Sequence, residues 1–505
     1  MIRWLDDFID GTTMYRLVFY YLGGLLAVAT LFAPFGLVPF DATAMVFSTV
    51  LIGATCWASN WLFAKVFRMP VNVESAWITA LIIALIMNPV SATDVAGMGG
   101  LVFASLWGIA SKFMLAIGKK HIFNPAALGV ALTGLLAAQP ATWWVAGNLS
   151  LLPFVLVGGL LIARKLQRFD LIGVFIAVNL ATIALTTPAE MVGQSLLETL
   201  AHSPLFFLAF AMLTEPMTAP QARWPRLAYA ALVGVLAAPT IHLGDFYLTP
   251  EIALLAGNLF AFVVSPKGRF ALTLQRIEQA ANGAYDFVFT PDRKLSFRPG
   301  QYLEWTLGFP HADARGNRRS FTVASAPTED EVRLGVKFYP KPSTFKRALA
   351  EMQPGDTIYA SQLAGSFVLP RNPATKLAFI AGGIGITPFR SMLQDLLDRK
   401  EPRDIALLYG AAESRDLAYR DVIDAAGEHL GVRTTYAVAS GQTAEPHMRT
   451  GFIDAEMIRA EVPDFRDRVF YLSGPHAMVS LFERTLRAMG VKRSRIKVDF
   501  FPGLA

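Results

Sequence analysis

Long uncharged apolar runs fill the first half of the chain, at about 15–33, 44–64, 75–87, 95–117, 123–138, 150–163, 171–187, 204–213, 227–240 and 249–264. A helix that crosses a bilayer needs about twenty apolar residues, so the shorter runs read as half-helices inside a bundle. Beyond 270 the pattern changes to short alternating stretches: "YDFVFTP", "QYLEWTLG", "RRSFTVAS", "VRLGVKFYP" and "DTIYASQLAGSFVLP". Their period of two, bounded by turn residues, predicts a small antiparallel β-barrel. From 374 onward the apolar strands "KLAFIAGG", "DIALLYGAA", "RTTYAVAS" and "RVFYLSGP" alternate with amphipathic helices. That predicts a doubly wound α/β domain with a parallel sheet and ligands at the strand carboxyl ends. The expected domains are 1–265, 266–372 and 373–505.

Charge sharpens the first of these. Of 505 residues, 53% are hydrophobic and 17% charged, against about a quarter charged in soluble domains. Lys65 and Arg68, Lys119 and Lys120, Arg164, Lys165 and Arg168, Arg223 and Arg226, and Lys267 and Arg269 all follow even-numbered runs. The intervening loops 34–43, 88–94, 139–149, 188–203 and 241–248 hold no Lys or Arg. Under the positive-inside rule this alternation gives about ten segments in the cytoplasmic (inner) membrane, with both termini and everything after 266 on the cytosolic side. The basic residues of the first half sit largely in the short loops after even-numbered runs, which suits membrane orientation and not nucleic acid. The start, "MIRWLDDFIDGTTMYR", lacks the pattern of a signal peptide. The single cysteine, Cys56, excludes an internal disulfide, a four-cysteine cluster and a cysteine zinc site, and no metal is expected.

Ten segments divide into two fives, and an odd-numbered unit repeated in sequence inserts upside down. Segment three ends "ALIMNPVSA" and segment eight "AFAMLTEPMTAP"; segment five opens "FNPAALGVALTG" and segment ten "LTPEIALLAGN". Proline-broken segments at matching positions of an inverted repeat point to a binding site near the midplane. Asn88, Asn124, Thr214, Glu215 and Thr218 are the candidate residues there, Glu215 above all, because a carboxylate at that depth needs a partner or a ligand. The alternative is that these side chains cap helix ends freed by proline. "GKKHIFNPAALG" and "FAMLTEPMTAPQ" resemble the paired signatures of the family of flavin-holding membrane subunits found in the Rnf electron-transport complex and in the sodium-translocating NADH:quinone reductase. The resemblance covers about 15–265 and implies an inverted-repeat bundle that holds flavin. In place of the family's flavin-attachment threonine motif, the loop here reads "AQPATWWVAGN". A non-covalent second flavin or a quinone is the expectation that remains.

In the barrel region, "RRSFTVASAP" offers Arg319 as a fork of donors for a phosphate, Phe321 as a flat face for an isoalloxazine, and the hydroxyls of Thr322 and Ser325. "PKPSTFKRAL" places Ser343 and Thr344 at a helix start suited to a pyrophosphate. Further on, "AFIAGGIGITPFRSM" runs from strand through Gly382, Gly383 and Gly385 to Thr387-Pro388, bringing bare backbone N–H groups against a phosphate. The order barrel, Arg-x-Phe-Thr, pyrophosphate turn, Gly-Gly-x-Gly-x-Thr-Pro and "YLSGP" resembles the ferredoxin–NADP reductase-like superfamily across 268–505. That resemblance implies FAD on Arg319, Phe321 and Thr322, and a nicotinamide nucleotide on Gly382, Gly383, Gly385, Thr387 and Pro388. Its Cys-Gly-Pro turn beside the nicotinamide maps onto Ser473, Gly474 and Pro475, with serine for cysteine; Ser473 is the catalytic candidate. Phe500 or Phe501 of "KVDFFPGLA" covers the flavin or packs in the core. Ser414 and Arg415 of "GAAESRDLAYRD" either hold a 2′-phosphate, favouring NADPH, or Arg415 pairs with Asp416 or Asp421.

Together the halves imply a membrane flavoprotein that passes electrons from cytosolic NAD(P)H through FAD to a carrier or acceptor in its membrane domain, flavin or quinone. The alternatives are a redox-linked ion transporter and a membrane-anchored reductase serving a separate membrane partner protein. A haem-bearing bundle would need stacked histidine pairs, and the membrane half holds only His121, His202 and His242, all near segment ends.

Overall fold

In the computed structural model residues 12, 14–67, 73–117, 120–265, 269–309, 313, 317–340, 342–440 and 447–499 are described. Two compact units divide the chain, one up to residue 267 and one from residue 268.

The first unit is helical: α1 (Met14–Phe32), α2 (Ala42–Val66), α3 (Val73–Ile86), α4 (Val95–Met114), α5 (Pro125–Ala137), α6 (Leu152–Leu166), α7 (Phe169–Thr186), α8 (Val192–His202), α9 (Leu205–Met212), α10 (Arg223–Leu236) and α11 (Pro250–Val264). Among the described residues α1, α2, α4 and α7 are long and apolar enough to cross a membrane, and α8 with α9 forms a pair bent by 58° that passes the same test together. α3, α5 and α11 are shorter apolar helices. The bundle is apolar inside and out. Leu85, Phe175 and Leu213 are fully buried, while Trp57, Leu136 and Leu185 lie exposed, the distribution expected of helices surrounded by lipid. α5 and α11 both start on proline, where the missing N–H costs nothing because the first turn has no intrahelical partner for it. The stretch 188–203, expected as a loop, instead contains α8: "VGQSLLETLAH" repeats its apolar residues at helical spacing.

The second unit holds two sheets. The first comprises β1 (Phe270–Ala281), β2 (Ala284–Pro291), β3 (Tyr302–Thr306), β4 (Arg318–Thr322), β5 (Val332–Lys337) and β6 (Thr357–Ala364), all antiparallel in the order β4-β3-β6-β1-β2-β5. Just past β4, Ala324 N donates to Arg333 O of the opposite edge strand at 2.9 Å, so the sheet curls towards a barrel. Its core is Leu272, Phe287, Phe289, Trp305, Leu334 and Ile358. β1, the longest strand, was not among the expected ones. Its alternation is clean only as far as Leu274, after which Gln275 and Arg276 are both exposed and a bulge shifts its pairing with β2. A short helix, α12 (Thr344–Ala350), follows β5.

The second sheet is parallel, ordered β10-β9-β8-β7-β11-β12: β7 (Leu377–Gly382), β8 (Ile405–Ala411), β9 (Arg433–Val438), β10 (Met448–Thr450), β11 (Val469–Ser473) and β12 (Ile496–Val498). Its helices are α13 (Thr387–Arg399), α14 (Arg420–Leu430), α15 (Ala455–Glu461) and α16 (His476–Ala488). β7 is buried along its whole length, as a central parallel strand covered on both faces must be.

Candidate functional site

β7 ends at Gly382, and a single 3₁₀ turn, Gly383–Ile386, leads into α13, whose first turn contains Thr387 and Pro388. The neighbouring parallel strand β11 ends level with it, Ala381 opposite Ser473. A Cβ placed on Gly385 would stand 2.5 Å from Gly474 Cα and 2.6 Å from Ser473 O, so the two turns touch backbone to backbone. The structure thus brings Gly382, Gly383, Gly385, Thr387 and Pro388 together with Ser473, Gly474 and Pro475 at the carboxyl ends of adjacent strands.

Ser473 leads onward to a residue that sequence reasoning missed. Its Oγ lies 3.2 Å from Oδ2 of Asp499, which also pairs with the Thr322 hydroxyl at the end of β4. Asp499 follows β12, and its backbone N–H donates to Leu472 O at 2.9 Å. Burial pushes the Asp499 carboxyl up to about 7, against the opposing pull of the Ser473 and Thr322 hydroxyls. A carboxyl poised to exchange a proton near neutrality therefore links the barrel motif to the Ser-Gly-Pro turn. Phe500 and Phe501 lie outside the described residues.

Arg319 is almost fully buried on β4. Its Nη2 stands 3.5 Å from Asp313 Oδ1 and its guanidinium 5.3 Å from the Phe345 ring. The other oxygen of Asp313 accepts from Thr344 N at 3.3 Å, and Thr344 Oγ1 accepts from Asp313 N at 3.0 Å. Ser343 caps α12 by accepting from Lys346 N. A carboxylate thus bridges Arg319 and the first turn of α12, and the same donors fit the phosphate oxygens of a dinucleotide. Phe321 is half-buried beside Phe345, ring centroids 6.0 Å apart. Ser325 is drawn elsewhere. Its Oγ accepts from Arg333 N and its carbonyl from Ser391 Oγ, at the seam between the sheets. Ser414 and Arg415 lie in a turn after β8, where Arg415 pairs with Glu413, Nε to Oε2 2.7 Å. That partner is neither of the two acids expected.

The helical unit gathers a second group. Glu215, just past α9, accepts from Asn124 Nδ2 at 2.8 Å and Thr218 Oγ1 at 3.1 Å, and His121 Nε2 lies 3.2 Å from its other oxygen. Asn124 caps α5, and its own N–H donates to Asn258 Oδ1 on α11. A cavity beside them is lined by Tyr15, Ser75, Thr79, Asn124, Thr214 and Glu215. Thr214, just past α9, turns its hydroxyl back to Phe210 O in that helix. Asn88 stands apart, accepting from Thr142 Oγ1.

Residues 144–266 match the family model described as the NQR2, RnfD, RnfE family, and residues 379–484 that of the oxidoreductase NAD-binding domain. The chain is thus similar to the NQR2, RnfD, RnfE family over part of its helical unit and to an oxidoreductase NAD-binding domain over part of its second unit. Among curated proteins it is 27% identical over 216 residues to the flavohemoprotein of Bacillus cereus (strain ATCC 10987), covering 41% of this chain and 53% of that one. To the flavohemoprotein of Burkholderia sp. (strain TH2) it is 29% identical over 209 residues, covering 41% and 52%. The chain spans about half the length of the curated relatives it matches. Similar solved structures include the cytochrome b5 reductase domain of Ulva prolifera nitrate reductase (TM-score 0.41, 22% identity, covering 46% of this chain and 98% of that one). A ferredoxin NADP+ reductase from Neisseria gonorrhoeae with bound FAD and NADP has a TM-score of 0.40 and 20% identity, covering 46% and 98%. Within the second unit, residues 379–484 thus resemble an oxidoreductase NAD-binding domain.

The Asp499 carboxyl gives a pH test. Its ionisation is displaced upward from 3.8 to about 7 in the folded state, so its contribution to stability is present at low pH and is lost as pH rises through about 7. Replacing Asp499 with Asn should flatten the pH dependence of the melting temperature between about pH 4 and pH 7 and raise the melting temperature above about pH 7. An unchanged slope would show that Asp499 titrates as an ordinary carboxylate.

Proposed function

We propose that the chain is an integral-membrane oxidoreductase that takes reducing equivalents from cytosolic NADH or NADPH and delivers them, by way of FAD, to a carrier or acceptor in its membrane domain. The observation that carries the reading is the Thr322–Asp499–Ser473 chain of side chains, which joins the Arg-x-Phe-Thr strand to the paired glycine turns. Flavin and nicotinamide chemistry need that juxtaposition, because hydride transfer requires two rings held within van der Waals distance.

On this reading Arg319, Ser343 and Thr344 hold the FAD pyrophosphate, while Phe321 and Thr322 face its ring. Gly382, Gly383, Gly385, Thr387 and Pro388 take the pyrophosphate of the nicotinamide nucleotide, and Gly474 and Pro475 shape the nicotinamide pocket. Ser473 and Asp499 hold a proton at the junction. FAD supplies the ability to accept a hydride and to release electrons one at a time. Ser414 and Arg415 border the adenosine end, where the 2′ position would decide between the two nucleotides.

The membrane domain, read as about ten segments with both ends cytosolic, then carries electrons or receives them. Its polar centre of Glu215, Asn124, Thr218 and His121 is the binding place we assign to a non-covalent second flavin or a quinone. An ionisable group at a broken helix in a bilayer domain is by default a candidate for binding or moving something. The same carboxylate–histidine pair also favours a second reading, redox-linked ion transport.

Two substitutions test the route. Arg319→Ala should strip FAD from the purified chain and abolish NAD(P)H oxidation; retained flavin would contradict the assignment. Glu215→Gln should leave the reduction of a soluble dye within about twofold of the parent and lower reduction of a membrane quinone at least tenfold. Equal activity with both acceptors would reduce Glu215 to a structural cap and the membrane domain to an anchor.

A further inference from the structure

Tyr419 stands at a place where a tyrosine is costly. It precedes α14 with φ +58°, in the left-handed region that an aromatic L-residue adopts only when its surroundings impose it. It is 8% exposed. Its ring reaches from the parallel-sheet half of the module into the curled sheet, where Oη donates to Asp286 Oδ1 on β2 at 3.1 Å. Asp286 is itself 2% exposed and is held by Arg333 Nη1 of β5 at 2.9 Å.

The strand that receives the tyrosine is cut back to make room. Gly335 lies on β5, and a Cβ there would collide with Tyr419 Oη and stand 2.7 Å from Thr387 Cγ2. Thr387 closes the glycine turn, so at Gly335 the backbone of the curled sheet meets the tyrosine and the nucleotide turn at one point. A second connection runs through the backbone. Ala418 N donates to Tyr409 Oη, which in turn donates to Gly383 O, both at 3.0 Å. The residue before Tyr419 is therefore tied to the glycine turn, and its own hydroxyl to the flavin-side sheet. Arg390 of α13 flanks the ring at 5.9 Å and pairs with Glu329 beyond β4, Nη2 to Oε1 2.9 Å.

We infer that Tyr419 is a positioning residue: wedged between Asp286, Gly335 and Thr387, it sets the separation between the nicotinamide-binding turn and the curled sheet that carries the flavin-binding strand. This rests on the oxidoreductase reading above. Tyr419 touches neither ring in this account and acts through Thr387 and the glycine turn. A misplacement of about 1 Å between reacting groups can cost up to about 10²-fold in rate, and losing one buried hydroxyl at this wedge permits a shift of that order.

The test is stopped-flow reduction of bound flavin in the full-length purified chain over a range of NADH and NADPH concentrations. For Tyr419→Phe, flavin content and the half-saturating nucleotide concentration should stay within about twofold of the parent, while the limiting reduction rate per flavin falls about tenfold or more. Gly335→Ala, which pushes on the same contact, should lower the same rate. The double variant should be no slower than Gly335→Ala alone, because removing the hydroxyl relieves the clash. A loss of melting temperature with an unchanged limiting rate, or rate losses that multiply in the double variant, would overturn the inference. If the parent chain itself shows no flavin reduction by either nucleotide, the oxidoreductase reading fails instead, and the two failures are distinguished by that control.

Discussion

Backbone contact between two turns is the constraint on which the site depends. Parallel strands β7 and β11 end level with each other, and Gly385 and Gly474 pack so closely that neither turn leaves room for a side chain at Gly385. Bare N–H groups and an uncluttered surface follow from that approach, and so does the placement of Ser473 beside Asp499. The candidate site residues of the second unit are arranged around this contact. The curled sheet supplies Arg319 and Thr322 from one side, the parallel sheet supplies the glycine turn from the other, and Tyr419 bolts the two together.

Much of this was legible in the chain because local pattern and global fold agree. The apolar runs became helices within a few residues of their expected ends, since in a bilayer the backbone has no alternative to pairing with itself. The alternating stretches became strands for the corresponding reason in water. The glycine turn was readable because no other residue type serves a backbone–backbone approach. Asn124, Glu215 and Thr218 were readable because polar residues beside proline stand out in an apolar run, and the structure brings those three together.

What was missed depends on contacts distant in sequence. Asp499 sits in a short tail with no motif, and its character comes from Thr322 and Ser473, 177 and 26 positions away. His121 drew attention only as a haem ligand, whereas its imidazole faces Glu215. β1 exposes Gln275, Arg276 and Ile277 in succession past its bulge, with Arg276 paired to Glu278 and Glu331 along the sheet surface, which hides the strand period. α8 lay in a stretch read as a loop between two apolar runs, although its leucines recur at helical spacing. Asn88, grouped by sequence with the other breaks, pairs with Thr142 instead.

The central claim is that this one polypeptide accepts reducing equivalents from a nicotinamide nucleotide and stores them in bound flavin. The most direct measurement is the visible absorption spectrum of the full-length chain, purified into lipid nanodiscs and titrated anaerobically with NADH and NADPH. The account predicts a yellow protein with at least one flavin per chain, bleached by one of the nucleotides at stoichiometric amounts. A colourless chain, or a flavin spectrum that neither nucleotide alters, would contradict it.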